Sequence, residues 1–311
     1  MKRFEGLDPA AKKSVFSKEY ERLSYFETKF RAESFEFNAQ PYIQKLKQGI
    51  IDRLEASTQC HIGDDMEHAH LYLEPEHMEY RLHDGRNRVT TFFFDMPESF
   101  HATYFEFLQQ SVSTQLVDGP FYFQATPNIR IQTPGASDQD GYHRLRSDLC
   151  LGHHPREINL WIPITGPEID HGFKILSLDD SRQIMKDFEY NVLDVPQLIQ
   201  KEKHSYDQCL EKAKSIQTTC GKVLAFDSRC LHYMVPAKDF TRISIDVRII
   251  PVQDYTDMGM IFKGTTRRQM DFAPGSYFSH QEVQASIQTH GAQDEPQLES
   301  RLGQEVHNAN F

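Results

Sequence analysis

The side chains best suited to chemistry lie in the C-terminal half of the chain, where a histidine precedes a strand with a polar face. His232 follows a predicted strand that ends at Asp227, and Arg242-Ile-Ser244 comes ten positions later. Side chains alternate along a strand, so Arg242 and Ser244 share one face. A guanidinium can bind a carboxylate through two parallel hydrogen bonds, and a hydroxyl adds a third donor. The segment therefore predicts a carboxylate site close to a histidine that could ligate a metal.

A distal histidine followed ten residues later by Arg-x-Ser resembles the iron(II)/2-oxoglutarate oxygenase superfamily. The similarity continues upstream in residues 124–135 and 152–165, which are similar to a bacterial subgroup typified by the streptomycin-biosynthesis-type oxygenase-like proteins. It covers residues 120–255, about half of the chain. The resemblance implies a mostly β fold with flanking helices, built on a double-stranded β-helix core of the jelly-roll or cupin-like type. It also implies Fe(II), 2-oxoglutarate as co-substrate, and O2.

The resemblance implies a set of metal ligands and co-substrate contacts. Iron in that superfamily is held by a His-x-Asp or His-x-Glu pair and a distal histidine, which leaves three positions for 2-oxoglutarate and oxygen. His232 would be the distal ligand, and Arg242 and Ser244 would bind the far carboxylate of 2-oxoglutarate. No catalytic residue beyond the metal ligands is implied.

The upstream ligands depart from the family pattern, because the sequence reads His143-Arg-Leu-Arg-Ser-Asp148 and has Leu145 two positions after the histidine. In one interpretation His143 and Asp148 both bind the metal across a short insertion. In the other, Leu145 occupies the carboxylate slot and water or halide completes the site, as in halogenases of the family. Asp140 and Glu157 are further candidates for the acid.

Four other residues are candidates for substrate contacts. Arg130 and Arg248 could bind an anionic group of the substrate, although structural ion pairs would also explain them. Asn159 and Trp161 share one face of a predicted strand and could line a pocket, and core packing would explain Trp161 equally well.

The resemblance implies a 2-oxoglutarate-dependent non-haem iron dioxygenase that oxidises an unactivated C–H bond. Hydroxylation, desaturation and oxidative cyclisation all remain open. The subgroup resemblance favours a small, polar substrate of the natural-product kind and a role in biosynthesis. The alternatives are a non-catalytic cupin-like binding protein and a halogenase variant of the same fold.

The remaining sequence predicts how the site is positioned. Residues 1–118 contain helical spacing and predict a helical support region, with a strong helix that begins at Pro97. Residues 119–255 predict the β core, interrupted by a helical insertion at 181–216, and residues 256–311 predict a C-terminal lid and polar tail. We expect one integrated domain.

Composition narrows the function classes further. The 311 residues have a formal net charge of −11, which argues against a nucleic-acid partner because binding to phosphates needs basic surface. The five cysteines lack the spacing of a zinc site or a disulfide framework, which fits a reducing compartment. The N-terminal residues resemble neither a signal peptide nor a membrane span. We therefore expect a cytoplasmic enzyme with a small-molecule substrate, and the sequence gives no indication of its oligomeric state.

Overall fold

The computed structural model describes residues 8–73, 88–134, 145–166, 172–191, 199, 201–235, 237–255 and 272–284. In these residues the fold is mixed α/β with antiparallel sheets. The helices are α1 (Pro9–Glu21), α2 (Tyr25–Phe30), α3 (Gln40–Thr58), α4 (Arg88–Phe92), α5 (Glu98–Phe107), α6 (Ser113–Gln115), α7 (Leu178–Asp187) and α8 (Lys203–Lys212). A π-helical turn, Leu108–Val112, joins α5 to α6, and 3₁₀ turns occur at Met66–Leu71, Asp148–Leu151 and Val252–Asp254.

The strands form two sheets. They are β1 (Ser34–Asn38), β2 (Phe121–Phe123), β3 (Asn128–Gln132), β4 (Ile158–Pro163), β5 (Phe173–Ile175), β6 (Lys214–Ser215), β7 (Lys222–Asp227), β8 (His232–Met234) and β9 (Arg242–Pro251). The large sheet has the order β1-β7-β4-β9-β2, and β3 also pairs with β9. The small sheet has the order β6-β5-β8.

The large sheet has two different faces because its strands alternate in side-chain character. On one face, the isoleucine and valine side chains of β9 pack with those of β3 and β4 against the N-terminal helices in the main hydrophobic cluster. On the other face, Trp161 and Phe226 pack against Phe173 of the small sheet. The two sheets therefore face each other, and the helices cover the opposite side of the large sheet.

The N-terminal helices form where the hydrophobic spacing predicts them. In α3 the buried side chains are Ile43, Leu46, Ile50, Ile51 and Leu54, which lie on one face of a 3.6-residue repeat. Helix α5 begins after Pro97 and buries Phe100, Tyr104 and Phe107, as the sequence predicts.

One strand within the predicted helical region was not expected. Residues Ser34–Asn38 form β1, which pairs with β7 at the edge of the large sheet. A short alternating segment such as this one becomes a strand when a sheet edge is available to pair with it.

A buried ion-pair network attaches the N-terminal helices to the segment that leads into β8. The guanidinium of Arg229 is fully buried and donates to both carboxylate oxygens of Asp227, to Ser24 Oγ and to Glu27 Oε2. It also donates to the backbone carbonyls of Tyr20 and Arg22. The start of β8 is thus held against α1 and α2.

None of the described helices combines the length and the apolar character that a membrane crossing requires.

Candidate functional site

A cavity lies between the two sheets and contains most of the residues that the sequence singled out. Its empty volume is about 550 Å³, counted with its opening to solvent. The large sheet and its approach contribute Arg130, Gln132, Asn159, Leu160, Trp161, Phe226, Arg242, Ser244, Asp246 and Arg248. The small sheet and the segment beside it contribute Arg146, Asp148, Phe173, His232 and Met234.

The polar face of β9 is an internal surface. Arg242, Ser244 and Arg248 retain 3%, 4% and 5% of their exposure, and Asp246 is also largely enclosed. A polar strand face buried at this level is costly unless its groups have partners, so solvation cannot explain it. The cross-strand register extends this face: Gln132 lies opposite Arg242 on β3, and Asn159 lies opposite Arg248 on β4.

Arg242 is held in place by neutral acceptors. Its Nη1 donates to the carbonyl oxygen of Val235 at 2.8 Å, and its Nε donates to Gln132 Oε1 at 3.0 Å, with a second bond from Nη2 to the same oxygen. Gly172 makes room for this arrangement, because a Cβ there would lie 2.8 Å from the Val235 carbonyl oxygen and 3.0 Å from Arg242 Nη1. Its φ of +74° also favours glycine. These contacts orient the guanidinium.

His232 begins β8 and is buried beside aromatic rings. Its ring stacks on Phe173, with centroids 5.6 Å apart, and meets the edge of Phe226 at 5.2 Å. Its Nδ1 lies 3.0 Å from the carbonyl oxygen of Cys230, an acceptor, so Nδ1 carries the proton and Nε2 carries the lone pair. Burial lowers the pKa of His232 to about 4, with Asp148 acting in the opposite direction. A neutral imidazole oriented in this way is suited to binding a metal.

Asp148 forms a buried ion pair with Arg248. Both Nε and Nη2 of Arg248 donate to Asp148 Oδ2, at 2.9 and 2.8 Å. Burial alone would raise the pKa of Asp148, but the charge of Arg248, with His153 and His232 nearby, lowers it well below its usual range. Asp148 is therefore a carboxylate at neutral pH, with one oxygen directed by Arg248.

The segment before Asp148 lies next to β8, and its register decides which side chains enter the cavity. Arg146 and His232 exchange two backbone hydrogen bonds, of 3.0 and 2.8 Å, as an isolated antiparallel bridge. Directly opposed residues project to the same side, and Arg146 accordingly lines the cavity.

Leu145 turns the other way and is 1% exposed in a second hydrophobic cluster with Leu149 and Leu231. This position gives no support to the interpretation in which Leu145 takes the carboxylate slot, although the ligand set itself remains a prediction. His143 and Asp140 lie outside the described residues.

The four candidate substrate residues all line the cavity, but they differ in their contacts. Arg130 forms a salt bridge with Asp246, and Arg248 holds Asp148. Trp161 stacks on Phe173 with centroids 5.2 Å apart, so it is both a core residue and a wall of the cavity. Asn159 is 3% exposed, and neither its Oδ1 nor its Nδ2 has a hydrogen-bond partner.

Five buried side-chain atoms without hydrogen-bond partners lie in the described part of the lining. They are Gln132 Nε2, both amide atoms of Asn159, Asp246 Oδ1 and Arg248 Nη1. Such atoms are rare in folded proteins because each one loses its hydrogen bond to water without a replacement. Donors and acceptors left in this way inside a cavity indicate that a polar ligand belongs there.

Other metal-binding candidates are not supported by their surroundings. His153 pairs with Glu157 through a 2.9 Å contact between Nδ1 and Oε2, and neither residue lines the cavity. Residues 61–77 are rich in histidine and could also be considered for metal binding; in their described part, His68 contacts Asp65 and His70 contacts Thr241. No group of three or more histidine, cysteine or acidic side chains placed for a metal occurs in the described residues, so a third ligand beside Asp148 and His232 is not among them.

Seven of the lining residues were not singled out from the sequence, and Gln132, Arg146 and Phe173 are three of them. Gln132 shares the β3 face with Arg130, and its alternation with Ile131 could have identified it. Arg146 stands two positions before Asp148, which is the spacing of the family's His-x-Asp pair with arginine in the first place. Phe173 lies on a strand of three residues, too short for a hydrophobic pattern to reveal.

Comparisons with known proteins give no close relative. No family model matches the chain, and no curated protein matches it. Similar solved structures include SnoK, a non-heme alpha-ketoglutarate-dependent carbocyclase from nogalamycin biosynthesis, with 13% identity, a TM-score of 0.42, and coverage of 75% of this chain and 85% of that one. EctD from S. alaskensis with bound Fe has 12% identity, a TM-score of 0.43, and coverage of 72% and 74%. AviO1 from Streptomyces viridochromogenes Tue57 has 15% identity, a TM-score of 0.40, and coverage of 79% and 96%. Sequence identities and TM-scores this low carry no argument about function, so the functional proposal depends on the side chains of the cavity.

Proposed function

We propose that the protein is an enzyme, a non-haem iron dioxygenase that uses 2-oxoglutarate as co-substrate, and that its two sheets form the double-stranded β-helix core of that superfamily. One observation carries the proposal: a neutral imidazole, a carboxylate and an Arg-x-Ser pair line one buried cavity, in which five other side-chain atoms of the described residues lack hydrogen-bond partners. His232, Asp148, Arg242 and Ser244 supply these groups. This combination is suited to a metal on one side and a carboxylate on the other.

The donor set fits iron in two of its three expected positions. Asp148 and His232 would hold the metal, and His143, outside the described residues, remains the predicted third ligand. Bound iron and 2-oxoglutarate would together activate O2, which is the oxidant: one oxygen atom would be taken up as 2-oxoglutarate is converted to succinate and CO2, and the other would oxidise the substrate. The chain's own residues orient these groups. Cys230 fixes the tautomer of His232, and Arg248 directs one oxygen of Asp148.

The co-substrate site would use the charge of Arg242. Its guanidinium can exchange the neutral oxygen of Gln132 for a carboxylate, which is the stronger partner because it is charged. Gln132 Nε2 and Ser244 Oγ are then available as further donors. The aromatic rings of Trp161 and Phe173 limit the entry of water beside this site.

The substrate is proposed to be a small, polar, natural-product-like molecule in contact with Asn159 and Arg248. Hydroxylation, desaturation and oxidative cyclisation of a C–H bond remain the candidate outcomes. The burial of Leu145 in a hydrophobic cluster supports Asp148 as the carboxylate ligand over a carboxylate-free halogenase site. A cupin-like binding protein remains the second candidate, favoured by the position of Arg146 opposite His232.

The proposal is tested by measuring succinate formed from 2-oxoglutarate with Fe(II) and O2, in the presence and absence of candidate substrates. We expect His232→Ala to abolish succinate formation, whereas His204→Ala, on the exposed face of α8, should leave it unchanged. Arg242→Ala should weaken 2-oxoglutarate binding by about 2–5 kcal/mol, and Arg242→Lys should restore little because an ammonium cannot form the two-pronged contact. Full activity in His232→Ala would refute the assignment.

A further inference from the structure

We propose that Asn159, Asp246 and Arg248 form a subsite for a primary carboxamide, so that the substrate of this protein carries such a group. The inference rests on the proposed function in taking the occupant of the subsite to be the substrate. The unpartnered atoms of the three side chains and the register of their strands support the chemistry of the subsite independently.

The side chain of Asn159 is buried without a hydrogen bond. It retains 3% of its exposure and lines the cavity, and neither Oδ1 nor Nδ2 has a partner. An amide that gives up its contacts with water and receives nothing in return costs stability. A ligand that donates to Oδ1 and accepts from Nδ2 would remove that cost.

Two side chains of β9 add one unpartnered atom each. Arg248 lies directly opposite Asn159, and Asp246 lies opposite Trp161, the next residue on the same face of β4. The Cβ atoms of opposed residues are about 5 Å apart and those of diagonal neighbours about 7 Å, distances that these side chains can span. Arg248 Nη1 and Asp246 Oδ1 are without partners and lie in the same lining as Asn159.

The four atoms are two donors and two acceptors. Asn159 Nδ2 and Arg248 Nη1 can donate, whereas Asn159 Oδ1 and Asp246 Oδ1 can accept. A primary carboxamide is the complement of this set, because its oxygen has two lone pairs and its nitrogen carries two hydrogens. A carboxylate would leave both acceptors unpaired, and an amidinium group would leave both donors unpaired.

The charged groups beside the subsite already contact opposite charges. Arg248 binds Asp148, and Asp246 forms a salt bridge with Arg130. A neutral ligand can therefore supply the missing hydrogen bonds without disturbing either ion pair. Because Arg248 contacts Asp148, a carboxamide bound to Arg248 Nη1 would lie close to this proposed metal ligand.

The subsite can be observed directly because Trp161 is the single tryptophan of the chain and lines the cavity. Its fluorescence should report the binding of cyclohexane derivatives to the full chain in EDTA, without metal. We expect cyclohexanecarboxamide to bind about tenfold more tightly than cyclohexanecarboxylate or cyclohexanecarboxamidine, because each of these leaves buried polar atoms unpaired. The vicinal cis diol of cyclohexane should also bind less tightly, since each of its oxygens combines the donor and acceptor that the amide separates. Equal binding of these probes, or binding of none, would overturn the inference.

Variants of Asn159 test its role in this selection. Asn159→Leu has a similar size and no polar atoms, so its affinity for cyclohexanecarboxamide should be lower by about tenfold or more. Asn159→Asp exchanges the donor Nδ2 for an acceptor, so it should bind cyclohexanecarboxamidine more tightly than the carboxamide, an inversion that a purely structural role would not produce. Asn191→Leu, which removes an amide from an exposed position, should bind as the wild type does. Unchanged affinity in a folded Asn159→Leu, or the wild-type order in Asn159→Asp, would show that Asn159 does not select the ligand.

The subsite is separate from the proposed co-substrate contacts. Arg242 is six residues from Arg248 on β9, or about 20 Å along the strand, so 2-oxoglutarate should not displace cyclohexanecarboxamide. Competition between the two ligands would assign Asn159 to the co-substrate site and refute a substrate role.

The two proposals fail in different ways. If the wild type forms succinate with Fe(II) but does not discriminate among the cyclohexane probes, the oxygenase assignment stands and the carboxamide subsite is wrong. If it binds the carboxamide through Asn159 but never forms succinate from 2-oxoglutarate, the subsite belongs to a binding protein and the oxygenase assignment is wrong.

Discussion

At the scale of single residues, the ion pairs between side chains of the cavity determine which polar atoms remain available to a ligand. Arg248 was expected to contact substrate, yet two of its three donor nitrogens are directed at Asp148. Its primary effect is thus to orient the carboxylate, and only Nη1 is left for a ligand. Arg130 is similarly engaged by Asp246. Contact between substrate and either arginine therefore adds to an existing ion pair.

Leu145 provides a test of the ligand assignment. It is 1% exposed in a hydrophobic cluster, so Leu145→Ala should lower the free energy of unfolding by about 2–5 kcal/mol through lost contacts and a cavity. Because the side chain faces away from the cavity, succinate formation per folded molecule should persist and should not require chloride. The comparison combines denaturant titration with an activity assay at two chloride concentrations. A chloride-dependent wild type would contradict the ligand role of Asp148.

His232 predicts a pH dependence of stability. Its pKa falls from the usual 6.5 to about 4 on folding, so below pH 6.5 the unfolded chain binds a proton that the native protein does not. Above pH 6.5 the imidazole is neutral in both states and costs no stability. As the pH falls from 6.5 toward 4 the free energy of unfolding decreases, and at pH 5 the loss is about 2 kcal/mol. Denaturant titrations at pH 7 and pH 5 should therefore show a smaller loss for His232→Asn than for the wild type. Equal losses would show that burial does not depress the pKa of this imidazole.

At the scale of elements, the segment Asp227–Leu231 determines where His232 enters the cavity. Arg229 ties this segment to α1 and α2 through carboxylates, a hydroxyl and two carbonyls, and it is completely buried. The N-terminal helices therefore affect the site without contributing a side chain to its lining. The register between the 145–148 segment and β8 has a similar effect, since it brings Arg146 rather than Leu145 into the cavity.

Removing the Arg229 guanidinium tests this attachment. Arg229→Met leaves the carboxylate of Asp227 buried without its charge partner, so we expect the free energy of unfolding to fall by about 3–5 kcal/mol. Arg182→Met is the matched control, because it removes another arginine paired with Glu27 but at a partly exposed position, where about 1 kcal/mol or less is expected. Both values come from denaturant titration. Similar losses in the two variants would contradict the special importance of the buried network.

At the scale of the whole molecule, residues of both sheets line the cavity of the proposed ligand site. Arg242 and Ser244 belong to the large sheet, whereas His232 and Phe173 belong to the small one. A ligand held by both sheets binds only the folded protein, so it should stabilise the whole fold. We expect saturating 2-oxoglutarate, at a hundred times its dissociation constant, to add about 2.7 kcal/mol to the free energy of unfolding. A melting temperature that does not respond to such concentrations would argue against a site shared by the two sheets.

Much of the site was accessible from the sequence because it depends on local periodicity. Alternation along β9 determines that Arg242, Ser244 and Arg248 share a face, whatever the rest of the chain does. The spacing of apolar residues in α3 likewise determines its buried side. These predictions are confirmed by the positions of the side chains, whereas the metal and co-substrate roles assigned to them remain predictions.

Only the tertiary structure decided two further points. The polar face of β9 would be a solvated edge if the small sheet did not cover it, and that sheet consists of strands of two or three residues with almost no sequence signal. The choice among the residues of 143–148 depends on pairing with β8, about 86 positions away in the chain. A shift of one residue in that pairing would exchange the side chains on the two faces of the segment. Periodicity identifies alternating residues, but only the register between distant strands determines that Arg146 and Asp148 enter the cavity while Leu145 is buried outside it.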